Sequence, residues 1–539
     1  MFDFFTHRTP TPRQQLFTVP QADPFENPLV ETEPDPLRQW ATALPFANPQ
    51  QLAESMITHL GRLNRFPKPV KKRTELMEIY ATPALRLVHG LNQRKGQAPL
   101  AQIRRVMQEM GYGYCHVAND CLSNKANRKN LTQMSHSIYY AIKYFLFEYL
   151  LACEDFDCRC GNIYRQISRL MTFAMEQDLH LHLQSVDDKD QLHPERATIA
   201  HLYNRFMLMM LLDPCHLQEG EPRICFDYLD SVASEARFIH APQDSATTGL
   251  YVVDRLGEVP PYLFHPDALE TLEQARFVLY DIGPVSQMLH QQLRHLEKSE
   301  QAKPESFTKL NLREINNLLA RMLKSWHIRL KRDSERFNTS GEVMIWIGVP
   351  QVHAYLAGGT PQHEFEDQEI TMSQPMGMNT LAPLDSGHQI TARRSNQSRF
   401  GVALHLPRSA SSMPLIGELI LLSGHSSRQG SEWKIGVVKR ASKTEDERIE
   451  IGVQFVDGKI EPITLSIAHS RQDDQVVKDH PGIFIDQDHT HRSSLIVPKH
   501  FFVIGQQYRV EEMVPSPSIT PLQLLETTTR FERFRIKSV

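Results

Sequence analysis

The chain has 539 residues and a formal net charge of −4, well beyond the ~100–200 residues of one domain, so two to four domains are expected. Hydrophobic residues make up 41% and charged residues 23%, which excludes a chain that is disordered or fibrous throughout. The sequence pI near 6.7 excludes coating of DNA or RNA by bulk charge.

No apolar run reaches the ~18 residues of a membrane-spanning helix. The start, MFDFFTHRTPTPRQQ, lacks the apolar run and small residues of a secretory signal. The seven cysteines, from Cys115 to Cys225, are an odd set that does not suit a secreted disulfide scaffold. A cytoplasmic location is expected. Cys153, Cys158 and Cys160 match no common zinc spacing, and His180 and His182 add no ligand pattern, so no metal is expected.

In chain order, residues 1–36 hold seven prolines among polar residues and read as an extended or disordered leader. Residues 37–328 read as an all-α domain. Leu52, Met56, Ile57, Leu60 and Leu63 recur at the three- and four-residue steps of one helix face, with Pro49 near its start and Pro67 and Pro69 beyond its end. Further helices are expected over about 70–94, 99–126, 131–152, 160–178, 195–212, 267–299 and 307–330. Asn311 and Glu314 give the last block a capping signal. Residues 213–265 read as irregular or short extended structure within this half.

After Arg336 the texture becomes β-rich. Short runs at Val343–Ile347, Val352–Leu356, Gly401–Leu406, Glu418–Leu422, Trp433–Val438 and Ile449–Phe455 are bounded by Gly, Pro, Ser or Asn. That is the rhythm of a small antiparallel barrel over 329–470. Residues 357–390 read as a long loop inserted in it. Residues 471–539 read as a β-rich extension.

No Gly-x-Ser-x-Gly elbow, phosphate loop or His-Glu-x-x-His pair is present, so no catalytic constellation stands out. Two short motifs carry chemistry instead. Arg332 and Arg336 form an R-x-x-x-R, two planar forks suited to phosphates or guanine edges. Asn396, Ser398 and Gly401 form an N-x-S-x-x-G, whose Asn and Ser project alike along an extended segment. Its glycine is expected at a tight bend or at close approach to a ligand. Lys331 and Arg399 flank these motifs. Residues 391–443 hold nine Lys or Arg against two Glu, a local basic patch suited to a phosphate-bearing ligand.

These two motifs, followed by Trp433-x-x-Gly436-x-Val438-x-Arg440 and Ile451-Gly452-Val453-Gln454-Phe455, resemble the PilZ domain family. The resemblance implies a six-stranded antiparallel barrel that binds the bacterial second messenger cyclic di-GMP. It further implies that Arg332 and Arg336 grip phosphates and guanine, and that Asn396, Ser398 and Gly401 form the opposite wall. Neither a GGDEF signature nor an EAL-type carboxylate array is found, so a receptor rather than an enzyme is expected, with cyclic di-GMP as ligand and no cofactor. The helical domain would then engage a protein partner. The alternative is a protein-interaction or nucleic-acid-binding scaffold whose barrel does not bind the messenger. Single-strand binding calls for aromatic stacking platforms, and residues 391–443 offer only Phe400 and Trp433.

Overall fold

The computed structural model describes residues 17–23, 29–67, 70–90, 99–123, 128–184, 196–239, 249–266, 273, 275–298, 303–327, 337–358, 389–407, 415–423, 433–467, 480–486, 493–499, 501, 507–510 and 518–538. It divides into two units, one of residues 1–214 and 222–329, the other of residues 215–221 and 330–539. The chain therefore passes between the units three times.

The first unit is mainly helical. Its helices are α1 (Pro34–Thr42), α2 (Pro49–Arg65), α3 (Arg73–Gly90), α4 (Leu100–Ser123), α5 (Arg128–Glu154), α6 (Gly161–Glu176), α7 (Ile199–Leu211), α8 (Glu221–Val232), α9 (Gly283–Lys298) and α10 (Leu312–His327). Helix α2 shows how the sequence dictates this. The Asn48 side chain accepts from the Gln50 and Gln51 amides, Pro49 opens the first turn, and Leu52, Met56, Leu60 and Leu63 are buried on one face. The cap of α10 is reciprocal as expected: Glu314 N–H donates to Asn311 Oδ1 at 3.0 Å, and Asn311 N–H to Glu314 Oε2 at 2.8 Å.

The unit is not all-α. Strands β1 (Arg237–Ile239), β2 (Leu250–Asp254), β3 (Tyr262–Leu263) and β4 (Phe277–Asp281) form an antiparallel sheet in the order β1-β4-β2-β3. The helix expected over 267–299 begins only at Gly283, because Phe277–Asp281 pairs along its whole length with Leu250–Asp254. Part of the leader is held as well. Phe17 is 2% exposed, and Asn119 bonds both its backbone N–H and its carbonyl at 3.1 Å.

The second unit contains two β-structures. Strands β5 (Phe337–Asn338), β6 (Glu342–Ile347), β7 (Gln389–Ser398), β8 (Gly401–His405), β9 (Leu419–Ser423), β10 (Trp433–Lys443) and β11 (Ile449–Phe455) form the first. Their order is β5-β7-β6-β9-β10-β11-β8, and a further β7–β8 pairing closes six of them into a ring, with β5 continuing the β6 side of β7. The expected strand at Val352–Leu356 is instead a helix, α11 (Val349–Leu356). Gly348 turns the chain with φ 92°, and Pro350 in the first turn favours a helix over a ladder.

The expected C-terminal extension is itself a closed barrel. Strands β12 (Lys459–Ile467), β13 (His480–Asp486), β14 (Ser494–Pro498), β15 (Tyr508–Val510), β16 (Ser518–Thr527) and β17 (Phe531–Ser538) close in the order β12-β13-β14-β17-β16-β15. Its interior holds Ile463, Leu465, Leu495, Val497, Tyr508, Val510, Phe534 and Ile536. The two barrels share a core. Trp346, Leu419, Leu421, Ile435 and Val437 of the first pack with Ile483, Ile485, Ile496 and Phe531 of the second, around Val349 and Val352 of α11.

Candidate functional site: the β7–β8 hairpin and the strand beside it

Strands β7 and β8 meet at a two-residue turn, Arg399 and Phe400, with Ser398 opposite Gly401. The Ser398 hydroxyl closes this turn: its Oγ accepts from Phe400 N–H at 3.3 Å and faces the Gly401 carbonyl at 3.4 Å. A serine in this position supports the turn by bonding its own backbone two residues on.

Gly401 is demanded by packing rather than by a left-handed bend. Its φ is not positive, but a Cβ there would stand 2.3 Å from the Val453 carbonyl oxygen on β11. Close backbone approach, one of the roles a strand glycine serves, is met here by the protein's own strand.

A bulge lies just upstream. The β7–β8 register shifts between Arg394 and Asn396, leaving Ser395 as the extra residue. Residues directly opposite one another in antiparallel strands share a face. One row therefore runs Asn338, Asn396, Ala403, Gly452, Arg440 across β5, β7, β8, β11 and β10. The adjacent positions Val402, Leu404, Ile451, Val453, Val438 and Ala441 are buried, so the row lies on the face away from the barrel interior.

The strand that follows the arginine motif reaches this hairpin. Phe337 pairs with Gln397 and Asn338 with Asn396. Phe337 is 66% exposed and Phe400 44% exposed, and the Arg399 guanidinium carbon lies 5.4 Å from the Phe400 ring centroid. Two open aromatic faces thus stand at the hairpin. Phe400 lies within the basic segment 391–443, whereas Phe337 lies outside it and reaches the hairpin only by pairing with Gln397. Trp433 is not such a face: its ring packs against Trp346 and Tyr355 at 5.5 and 4.8 Å.

Of the expected site residues, Asn396, Ser398, Arg399 and Gly401 come together in the hairpin. Lys331, Arg332 and Arg336 lie outside the described residues. So do Arg408 and Arg428 of the basic segment. Two of its remaining cations are engaged within the protein. Lys439 is ion-paired with Glu526 on β16, and the Lys434 ammonium sits 5.1 Å from the Phe455 ring centroid. Beside Arg393, His405 Nε2 lies 3.5 Å from Glu450 Oε2. Asn396 and Arg440 make no side-chain hydrogen bond or ion pair among the described residues.

None of the seven cysteines is in a disulfide. Among the described residues no group of three or more His, Cys, Asp or Glu is placed to hold a metal ion. No helix among them is long and apolar enough to cross a membrane.

Comparison with known proteins places these features. Residues 35–243 match the family model of the cyclic-di-GMP receptor FimW, N-terminal domain, and residues 250–382 that of the same receptor's middle PilZ domain. A relative, the cyclic-di-GMP receptor FimW of Pseudomonas aeruginosa, is 20% identical over 524 residues, covering 85% of this chain and 81% of the relative. The first match runs from α1 through β1, and the second from β2 past α11. The PilZ match thus begins earlier than the 329–470 expected from sequence. It includes Arg332 and Arg336 and stops short of Asn396, Ser398 and Gly401. The chain thus contains a domain of the FimW N-terminal kind followed by a PilZ domain.

Proposed function

We propose that this chain is a non-enzymatic, cytoplasmic receptor for cyclic di-GMP, with the messenger held between the R-x-x-x-R and the β7–β8 hairpin. The observation that carries this reading is the pairing of β5 with β7. Phe337 follows Arg336 directly in sequence, and one trans peptide spans only about 3.8 Å between Cα atoms. Phe337 pairs with Gln397 and Asn338 with Asn396, so the chain leaving the arginine motif is tied to the hairpin motif. The family match supplies the ligand class, since the relative is a cyclic-di-GMP receptor.

In this reading Arg332 and Arg336 offer charge-assisted forks to the phosphates and a guanine edge, with Lys331 adding charge. Asn396 supplies an amide, Ser398 and Gly401 hold the turn, and Arg399 with Phe337 and Phe400 provides faces for base stacking. The helical unit serves as the surface for a protein partner. Messenger binding changes the barrel's orientation or interactions relative to it.

The end of α10 gives that change a starting point. Trp326 is fully buried and its carbonyl accepts from Tyr251 Oη at 2.6 Å. His327 Nε2 lies 2.8 Å from Ser286 Oγ. The helix is therefore anchored up to His327, and a reorientation is expected to change backbone protection over 307–327. Hydrogen exchange on free and messenger-loaded protein tests this. Protection changes confined to 337–338 and 393–401, never reaching 307–327, would rule out the reorientation while leaving messenger binding intact.

A further inference from the structure

We propose that the messenger site extends across β11 to β10, with Gly452 leaving the floor for one guanine base and Arg440 reading that base's O6/N7 edge. The proposal rests on the cyclic di-GMP reading above.

Three observations carry it. First, Arg440 lies in the same cross-strand row as Asn396. Three inter-strand steps separate them, roughly 14 Å at the usual strand spacing. Only Ala403 and Gly452 stand between them in that row, so nothing longer than a methyl group rises from that stretch.

Second, Gly452 is not required by the fold. At Gly401 an added Cβ would meet backbone at 2.3 Å, whereas at Gly452 its one close neighbour would be Arg440 Cβ at 3.4 Å. Its φ is not positive. Glycine inside a strand weakens the strand and marks bulges or places where another group approaches closely. The β10–β11 register shift lies on the β10 side, opposite Val453 and Gly452, and among the described residues no backbone comes within 4 Å of the Cβ position at Gly452. Ala403 beside it is 5% exposed, so the open position is Gly452 itself, and a base resting there accounts for its missing side chain.

Third, the bulge in β10 sorts two neighbouring cations. The β10–β11 register shifts between Val438 and Arg440, leaving Lys439 as the extra residue. Lys439 is committed to Glu526, while Arg440 is exposed and makes no hydrogen bond or ion pair among the described residues. A guanidinium matches guanine O6 and N7 with a rigid planar fork of two parallel donors, so exchanging it for the point charge of an ammonium is not conservative.

The test is calorimetric titration of the full chain with cyclic di-GMP at low and high salt, using wild type, Gly452→Val, Arg440→Ala and Arg440→Lys. Gly452→Val and Arg440→Ala are expected to weaken binding about tenfold or more. The Arg440→Ala loss should persist at high salt, and Arg440→Lys should not restore it. Wild-type affinity in Arg440→Ala, or a loss that vanishes at high salt, overturns the proposal and leaves the receptor reading standing. Should Gly452→Val fail to fold by circular dichroism, Arg440→Ala decides alone, because its side chain is exposed. A wild-type chain that does not bind cyclic di-GMP overturns the receptor reading and this extension with it.

Discussion

Asn338 lies directly opposite Asn396 across the β5–β7 pair. The two residues belong to segments fifty-eight positions apart, one just past the R-x-x-x-R and one inside the N-x-S-x-x-G. That pairing ties the two residues that follow the arginine motif to the hairpin motif, and it makes the arginines directly testable. Each of Arg332→Ala and Arg336→Ala should weaken cyclic di-GMP binding by about 2–4 kcal/mol, the range for losing charge-assisted bonds in a partly desolvated site. Lys331→Ala should cost less, and its loss should shrink as salt rises. Titration at two salt concentrations checks both.

The hairpin predicts a separation of folding from binding. Gly401→Ala should destabilise the ligand-free protein by about 1–3 kcal/mol, because the new Cβ meets the Val453 carbonyl. Ser398→Ala should cost about 1 kcal/mol of stability through its lost turn bonds. Thermal melts without ligand measure this. An unchanged melt in Gly401→Ala would contradict the packing role assigned to that glycine.

The core between the barrels predicts that they unfold together. Phe531 is fully buried against strands of both. Phe531→Ala should therefore cost about 3–5 kcal/mol and lower a single transition reported by probes in either barrel. Two separate transitions would show that each barrel is stable alone.

Glu148 predicts a pH dependence in the helical unit. Burial lifts its carboxyl from 4.5 to about 8, and Gln108 Nε2 donates to it at 3.1 Å. The folded protein holds this proton where the unfolded chain has released it. The stability it contributes is complete below pH 4.5 and is lost as pH rises toward 8. Glu148→Gln keeps a neutral acceptor for Gln108, so the variant should gain on wild type across that window by roughly 1 kcal/mol per pH unit. Melts at pH 5 and pH 8 decide the sign.

What sequence could and could not reveal follows from the range of the interactions. The α2 stripe and the turn leading into β8 were legible because their signals are local: a 3.6-residue period with an Asn cap, and a turn closed within four residues; β7, which begins inside the expected loop at Gln389, was not. Helix α11 was misread because Val352, Tyr355 and Leu356 form a short apolar run, where period cannot separate strand from helix. Pro350 was the available clue. The four-stranded sheet and the second barrel were missed for a different reason. Strand β15 has three residues, and closure depends on pairs such as Leu465 with Val510, which no local pattern announces. Asn396, Ser398 and Gly401 stand out as a motif, and Arg440 and Gly452 belong to the later quoted runs, but Phe337 meets the hairpin only through strand register.

Binding of cyclic di-GMP by the intact chain tests the central claim most directly. Isothermal titration should show saturable binding of cyclic di-GMP, none of GTP, and loss of binding in an Arg332→Ala, Arg336→Ala double variant that melts like wild type. Absence of binding by the wild-type chain, or wild-type affinity in the folded double variant, would contradict it.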